Sequence, residues 1–117
     1  MPPLPPAATA HITAPVGAGG VPDPDAHGEA GGAECGDLVR IELSVRDGVI
    51  REIGFRANGC PAATAAASAA CARLAGAPVD AALSLTPPAL DAALGGLRPA
   101  LRHGPDLVVE AVARALE

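Results

Sequence analysis

The sequence predicts an α+β domain, because an alternating hairpin in its first half is followed by helical patterns in its second half. Residues 38–57 carry apolar side chains in a period of two around an Asp-Gly pair, which is typical of a half-buried antiparallel hairpin. The last helical segment has an apolar stripe that would pack on this hairpin. With 117 residues, the chain has room for one domain and one core.

Local signals set the expected bounds of these elements. The hairpin turns at Asp47-Gly48, since both residues tolerate the positive φ angles of a two-residue turn. Residues 1–34 are rich in Pro, Gly and Ala with little periodicity, so we expect a flexible arm or an irregular cover there. Helices are predicted over Pro61–Leu74, Val79–Leu83, Pro88–Leu94 and Pro105–Leu116.

Composition argues against some classes of partner and indicates the cellular compartment. With 13 acidic and 8 basic residues, the net charge is −5, which argues against binding to nucleic-acid phosphates. There is no secretory start and no apolar run long enough to span a bilayer, so we expect a cytoplasmic protein without a membrane partner. Three cysteines in a short chain of a reducing compartment favour thiolate or metal chemistry over disulfides.

Four residues at element boundaries form a candidate metal site. Cys35 and Asp37 precede the first strand, and Cys60 follows the second. A hairpin brings the start of its first strand beside the end of its second, so these three should meet. Cys60 also lies where the dipole of the following helix favours an anion, which suits a thiolate ligand. His103 precedes the last helix and completes the set if that helix begins near Cys60.

Two thiolates, an imidazole and a carboxylate would make a tetrahedral set for zinc, or would give two ligands to each iron of a two-iron cluster. Spacing alone leaves this choice open, because the sequence has no paired Cys-x-x-Cys. It also leaves open plainer roles, namely buried cysteines, a turn-forming aspartate and an exposed histidine.

The motifs around these residues resemble those of a known family. Cys35-Gly36-Asp37, a hairpin and Phe55 through Gly59-Cys60-Pro61 are similar to the amino-terminal scaffold domain of the NifU, IscU and SufU proteins. The family's opening motif is matched by His11, Pro15 and Gly19, and the segment before its last ligand pair is matched by Leu97 through His103.

The resemblance implies a SufE/NifU-like fold, with a small three-stranded antiparallel sheet and helices packed on it. Because it covers residues 11–116, we expect a scaffold domain at 11–117 after a flexible Pro- and Ala-rich tail at 1–10. It also implies assembly of a labile cluster, without enzymatic turnover. Carried over by position, Cys35, Asp37, Cys60 and His103 fall on family site residues. The implied partners are a cysteine desulfurase and acceptor apoproteins, and the resemblance leaves open a homodimer around one shared cluster.

One position departs from the family pattern. A third cysteine follows the histidine in the family, whereas this chain has Gly104, which offers neither a ligand nor a nucleophile. We therefore expect a divergent branch in which sulfur acceptance is affected more than metal binding. Cys71 is not a substitute, because eleven helical residues separate it from Cys60 by about 16 Å along the helix axis.

Three functional hypotheses follow from these features. The leading one is a scaffold or carrier that holds iron or a [2Fe–2S] cluster and transfers it to apoproteins. The second is a zinc-bound sulfur-transfer partner of a cysteine desulfurase, with Cys35 or Cys60 as sulfur acceptor. The third is a degenerate module that binds a partner without metal.

Overall fold

The computed structural model describes residues 4–32 and 36–117. One antiparallel sheet of three strands, in the order β1-β2-β3, is covered by helices. The strands are β1 (Ala26–Gly32), β2 (Asp37–Arg46) and β3 (Val49–Asn58). The helices are α1 (Pro6–Thr13), α2 (Pro61–Leu74), α3 (Val79–Leu83), α4 (Pro87–Ala93) and α5 (His103–Ala115), with a 3-10 turn at Pro99–Leu101.

The predicted hairpin is confirmed as β2 and β3. Asp47 and Gly48 have φ angles of 55° and 74°, the conformation that a two-residue hairpin turn requires. Ile41 pairs with Phe55 across the two strands, and both side chains are buried in the core. The apolar alternation therefore selects the face of the sheet that the helices cover.

Helix α2 forms the centre of the core because almost all of its side chains are small. Its buried residues include seven alanines, and α1, β3 and α5 all pack against it. Alanine favours the helix and allows neighbouring elements to approach closely. The buried alanines are Ala62, Ala63, Ala65, Ala66, Ala67, Ala69 and Ala70.

The predicted helices are present with small shifts at their ends. Helices α2 and α3 have the predicted bounds, whereas α4 begins and ends one residue earlier than expected. Helix α5 begins at His103, two residues before the predicted start at Pro105. His103 is thus the first residue of α5 and not part of the loop before it.

The amino-terminal third differs from the sequence-based expectation of irregular structure. Helix α1 and strand β1 lie there, and each is stabilised by its neighbours more than by its own pattern. Ala8 of α1 is fully buried. Gly28 of β1 lies so close to the α5 backbone at Ala111 that a Cβ would overlap it. The expectation was wrong for these two segments, while the division into 1–10 and 11–117 stays a prediction.

The segment between α1 and β1, residues 14–25, lies along the β3 edge and then crosses the outer face of the sheet. Phe55 N–H donates to the Gly17 carbonyl at 2.8 Å, and Gly19 N–H donates to the Phe55 carbonyl at 3.0 Å. A Cβ on Gly54 would overlap the Gly20 backbone. Glycine at position 54 therefore lets residues 14–25 lie directly on the sheet. We call residues 14–25 the arm.

Candidate metal centre

Asp37 joins three segments of the chain that are distant in sequence. It is the first residue of β2 and is 8% exposed. Its Oδ1 accepts a hydrogen bond from the Cys60 backbone N–H at 2.7 Å. Its Oδ2 lies 2.5 Å from Nε2 of His103. The corner predicted from the hairpin geometry therefore contains Asp37, the start of α2 and the start of α5.

The hairpin register explains why Asp37 meets Cys60. Leu38 pairs with Asn58, so the residue before Leu38 lies beside the residues after Asn58. Gly59 has a φ of +110°, and a Cβ on it would overlap Oδ1 of Asp37. Glycine is required there both for its backbone conformation and for the space that the carboxylate occupies.

Cys60 is the N-cap residue of α2, with an extended backbone conformation and a half-buried side chain. Pro61 follows it at the first helical position, where a missing N–H leaves no broken bond. The first N–H groups of a helix and its dipole favour negative charge. Cys60 therefore lies at the start of α2, where the sequence predicted it, and its role as a ligand stays a prediction.

His103 stands at the start of α5 with its side chain 43% exposed. Together with Asp37, Asp106 and Leu107, it lines a shallow surface pocket. Nε2 of the imidazole contacts the Asp37 carboxylate, and part of the side chain is open to solvent. A ligand could therefore reach His103 without a rearrangement of the core.

Gly104 sets the distance between the two helix starts. A Cβ on Gly104 would come within 2.9 Å of the carbonyl carbon and oxygen of Ala62, and within 3.0 Å of the Ala63 nitrogen. The first turns of α2 and α5 are thus in direct backbone contact. This contact brings the start of α5, where His103 lies, close to the start of α2, where Cys60 lies.

Three of the four predicted site residues can be placed. Asp37 and His103 meet through their side chains, whereas Cys60 joins them through its backbone N–H. Cys35 lies outside the described residues. Within residues 4–32 and 36–117, no three His, Cys, Asp or Glu side chains form a ready metal-binding group. The four-residue ligand set therefore stays a prediction.

Cys71 has a different chemical environment from the residues at this corner. Its side chain is fully buried in α2, and burial raises the pKa of its thiol to about 12. A Cβ on Gly17 of the arm would lie 2.9 Å from its Sγ. These features agree with a packing role and disfavour metal binding, since a ligand must be a thiolate.

Sequence reasoning did not identify the buried polar contacts that hold the arm. Ser68 in α2 is fully buried, and its Oγ accepts from Val16 N–H at 2.8 Å and contacts His11 Nδ1 at 2.7 Å. A single serine in an alanine-rich helix was the available signal.

Glu42 forms a second contact of this kind on the outer face of β2. It is 5% exposed, and its Oε1 accepts from Val21 N–H at 2.9 Å. Two hydrogen bonds hold the pKa of Glu42 below its usual value. The bond from Arg40 has the larger effect, and the bond from Val21 N–H has the smaller one. The arm is thus bound to the sheet by an ionised, nearly buried carboxylate.

Comparison with known proteins assigns the family. Residues 7–117 match the family model described as the NifU-like N terminal domain. The chain belongs to this family. It is 37% identical over 106 residues to the iron-sulfur cluster assembly scaffold protein IscU 1 of Archaeoglobus fulgidus, covering 91% of this chain and 69% of the relative. It is 31% identical over 109 residues to the scaffold protein IscU of Aquifex aeolicus, covering 92% and 69%.

Solved structures show the same fold. A NifU-like amino-terminal protein from Brucella abortus matches with a TM-score of 0.74 and 20% identity, covering 95% of this chain and 90% of that one. A scaffold protein for the SUF system from Fervidobacterium islandicum matches with a TM-score of 0.69 and 16% identity, covering 96% and 95%. The predicted α+β fold with a three-stranded antiparallel sheet is therefore confirmed.

Two further findings concern enzymatic activity and the membrane. Scaffold proteins of the IscU type are not enzymes, in agreement with the prediction for this chain. Among the helices of residues 4–32 and 36–117, none combines the length and the apolar character that crossing a bilayer requires.

Proposed function

We propose that this chain is an iron–sulfur cluster assembly scaffold or carrier. It binds iron or a labile [2Fe–2S] cluster as its cargo, at a site formed by Cys35, Asp37, Cys60 and His103, and passes the cargo to acceptor apoproteins. The observation that supports this most is the meeting of Asp37 with His103 and with the backbone of Cys60. The relatives described as cluster assembly scaffolds support the same role.

The chemistry of the residues fits such a cargo. Cysteine thiolates are the usual ligands of iron–sulfur clusters, and imidazole can replace a thiolate at one iron. The starts of α2 and α5 lie in direct contact, so two helix dipoles favour a cargo that carries negative charge, as thiolate-bound clusters do. The half-exposed His103 and half-buried Cys60 support a cargo position near the surface, where an acceptor can take it.

The proposed partners are a cysteine desulfurase as the source of sulfur and apoproteins as acceptors, in the cytoplasm. Position 104 carries glycine where the family resemblance leads one to expect a cysteine. We propose that this chain works with the two thiols of Cys35 and Cys60 and accepts no sulfur at position 104.

Anaerobic reconstitution with iron and sulfide tests the proposal. We expect iron and sulfide to bind in equal amounts and to give the visible absorption bands of a [2Fe–2S] cluster, which should then move to an added apoferredoxin. Stoichiometric zinc with no cluster would overturn the proposal in favour of the zinc-bound sulfur-transfer protein. Binding of neither metal nor cluster would identify a metal-free module instead.

Two cysteine variants make the test specific to the site. Cys60→Ala should abolish cluster retention, because it removes the thiol at the N-cap of α2. Cys71→Ala is the matched control, since its thiol is fully buried and should leave the absorption bands unchanged. Unchanged iron content in Cys60→Ala would show that the proposed site is wrong.

A further inference from the structure

Strand β3 is an edge of the sheet, and other segments pair with only part of it. Near the hairpin turn, Ile50 exchanges hydrogen bonds with the loop that follows α2. Further along, Phe55 exchanges hydrogen bonds with Gly17 and Gly19 of the arm, and Ile53 between these two contacts is buried. An unpaired strand edge can pair with another chain, so the remaining end of β3 is a candidate interaction surface.

Ala57 lies at this remaining end and directs its backbone N–H and carbonyl out of the sheet. Phe55 bonds to the arm through both of these groups, so the pair of Phe55 with Ile41 exchanges no hydrogen bonds between β2 and β3. Such pairs alternate along an antiparallel ladder, so Ala57, two residues further on, has the same orientation. Within residues 4–32 and 36–117, no backbone group outside the sheet hydrogen-bonds to Ala57.

A groove beside Ala57 has the charge and the polar groups that suit an acidic ligand. Ala57 lines it together with Arg56, Asn58, Thr64 and part of the arm. The Arg56 side chain is 64% exposed, and its Nε lies 3.9 Å from Oε2 of Glu42, which is too far for a hydrogen bond. The guanidinium can therefore turn to a ligand. Among the described residues, no Asp or Glu lines the groove.

We propose that the open end of the β3 edge binds an extended, acidic segment of a partner protein. The backbone of the segment pairs with the N–H and carbonyl of Ala57 as a further strand of the sheet, and a carboxylate of the segment pairs with Arg56. A second copy of β3 is disfavoured, because each copy would bring its own arm into the groove. The surface belongs to the metal-free chain and does not depend on the proposed function.

NMR of the metal-free full chain tests the surface with a defined probe, the peptide acetyl-Val-Asp-Val-Asp-Val-amide. Without peptide, the Ala57 amide should exchange with solvent about tenfold faster than the Arg56 amide, which faces β2. Peptide at millimolar concentration should shift the signals of Ala57, Arg56 and Thr64 and should slow exchange at Ala57. Equal exchange at Ala57 and Arg56 without peptide, or no shift at these residues with it, would overturn the proposal.

Two altered peptides separate strand pairing from charge. A peptide with every backbone amide N-methylated keeps its carboxylates but cannot donate to the Ala57 carbonyl, so it should bind about fivefold more weakly. A peptide with lysine in place of each aspartate should bind about threefold more weakly, because it places a cation beside Arg56. Equal affinity of the methylated peptide would mean that the groove binds an anion without strand pairing. Equal affinity of the lysine peptide would overturn the preference for an acidic segment.

Arg56→Gln removes the charge that the segment pairs with, and Arg51→Gln is the matched control. Arg51 is also exposed on β3 but lines a different pocket, near the hairpin turn. Arg56→Gln should weaken peptide binding about threefold and reduce its dependence on salt, whereas Arg51→Gln should bind like the wild type. The same affinity in both variants would overturn the role of Arg56. Sedimentation that shows a dimer with slowed exchange at Ala57 would identify a second copy as the occupant and overturn the proposal.

Discussion

Gly104 in the first turn of α5 lies against the carbonyl group of Ala62 in the first turn of α2, where a Cβ would approach to 2.9 Å. The two helices begin side by side as a result, and their starts face the Asp37 carboxylate through Cys60 and His103. The glycine that removes an expected thiol is therefore also the residue that lets the two helices meet.

Replacement of Gly104 by alanine should destabilise the protein. Helix propensity alone would favour alanine by up to about 1 kcal/mol, whereas the clash with Ala62 should cost about 1–3 kcal/mol. We expect a net fall in the free energy of unfolding, measured by urea denaturation, and a larger fall for Gly104→Cys. An increase in stability for Gly104→Ala would contradict the backbone contact between α2 and α5.

The two described cysteines should differ in reactivity. Cys60 is half-buried at a helix start, whereas Cys71 is fully buried and burial raises the pKa of its thiol to about 12. Iodoacetamide at about pH 8 should modify Cys60 in the native protein and Cys71 only after unfolding in guanidinium. Peptide mapping by mass spectrometry gives the extent at each site. Equal native rates would contradict the burial of Cys71.

Glu42 should make stability depend on acid pH. Because the Arg40 hydrogen bond lowers the pKa of Glu42 below 4.5 in the folded chain, its contribution is complete above pH 4.5 and is lost as the pH falls through the lower folded value. Glu42→Gln should reduce the free energy of unfolding by about 1–3 kcal/mol at neutral pH. The difference from wild type should become smaller once the pH falls below the folded pKa of Glu42.

The matched control for Glu42 is Glu52→Gln, since Glu52 is exposed on β3. Its pH profile of unfolding should follow the wild type. A Glu42→Gln variant whose deficit stays constant from neutral to acid pH would show that the carboxylate charge does not hold the arm.

The sequence predicted the parts of the fold that local patterns control. The β2–β3 hairpin follows from alternation and from Asp47-Gly48, and α2 follows from a run of alanines after Pro61. Strand β1 contains three glycines, a histidine and a glutamate, and it exists because β2 pairs with it and α5 covers it. Cover by α5, which lies about seventy residues further along the chain, leaves no periodic signal in β1 itself.

The candidate site also has one part that local patterns predict and one part that tertiary packing determines. The contact of Asp37 with Cys60 was predictable, because hairpin geometry brings those positions together. The contact of Asp37 with His103 depends on the approach of Gly104 to Ala62, which is a tertiary packing event between residues far apart in sequence. The position of His103 before the last helix made it a candidate and the family resemblance supported it, but the residues alone could not predict its contact with Asp37.

Ser68 should be required for docking of the arm. The Ser68 Oγ accepts from Val16 N–H and is also hydrogen-bonded to Nδ1 of His11. Ser68→Ala would leave both partners unsatisfied in a part-buried site and should cost about 1–3 kcal/mol. Hydrogen exchange of the Val16 and Gly19 amides should become faster, while that of Ile41 in the centre of the sheet should stay slow.

Two histidine variants test whether the stability lost in Ser68→Ala includes the contact between Ser68 and His11. His11→Ala should destabilise the protein, because it removes the ring nitrogen that is hydrogen-bonded to the Ser68 hydroxyl. His27→Ala, at an exposed position of β1, should stay within about 0.5 kcal/mol of wild type. The double variant with Ser68→Ala and His11→Ala should lose less than the sum of the two single losses, because the two residues share one hydrogen bond. Additive losses would mean that His11 and Ser68 act independently, and Ser68 would then hold the arm through Val16 alone.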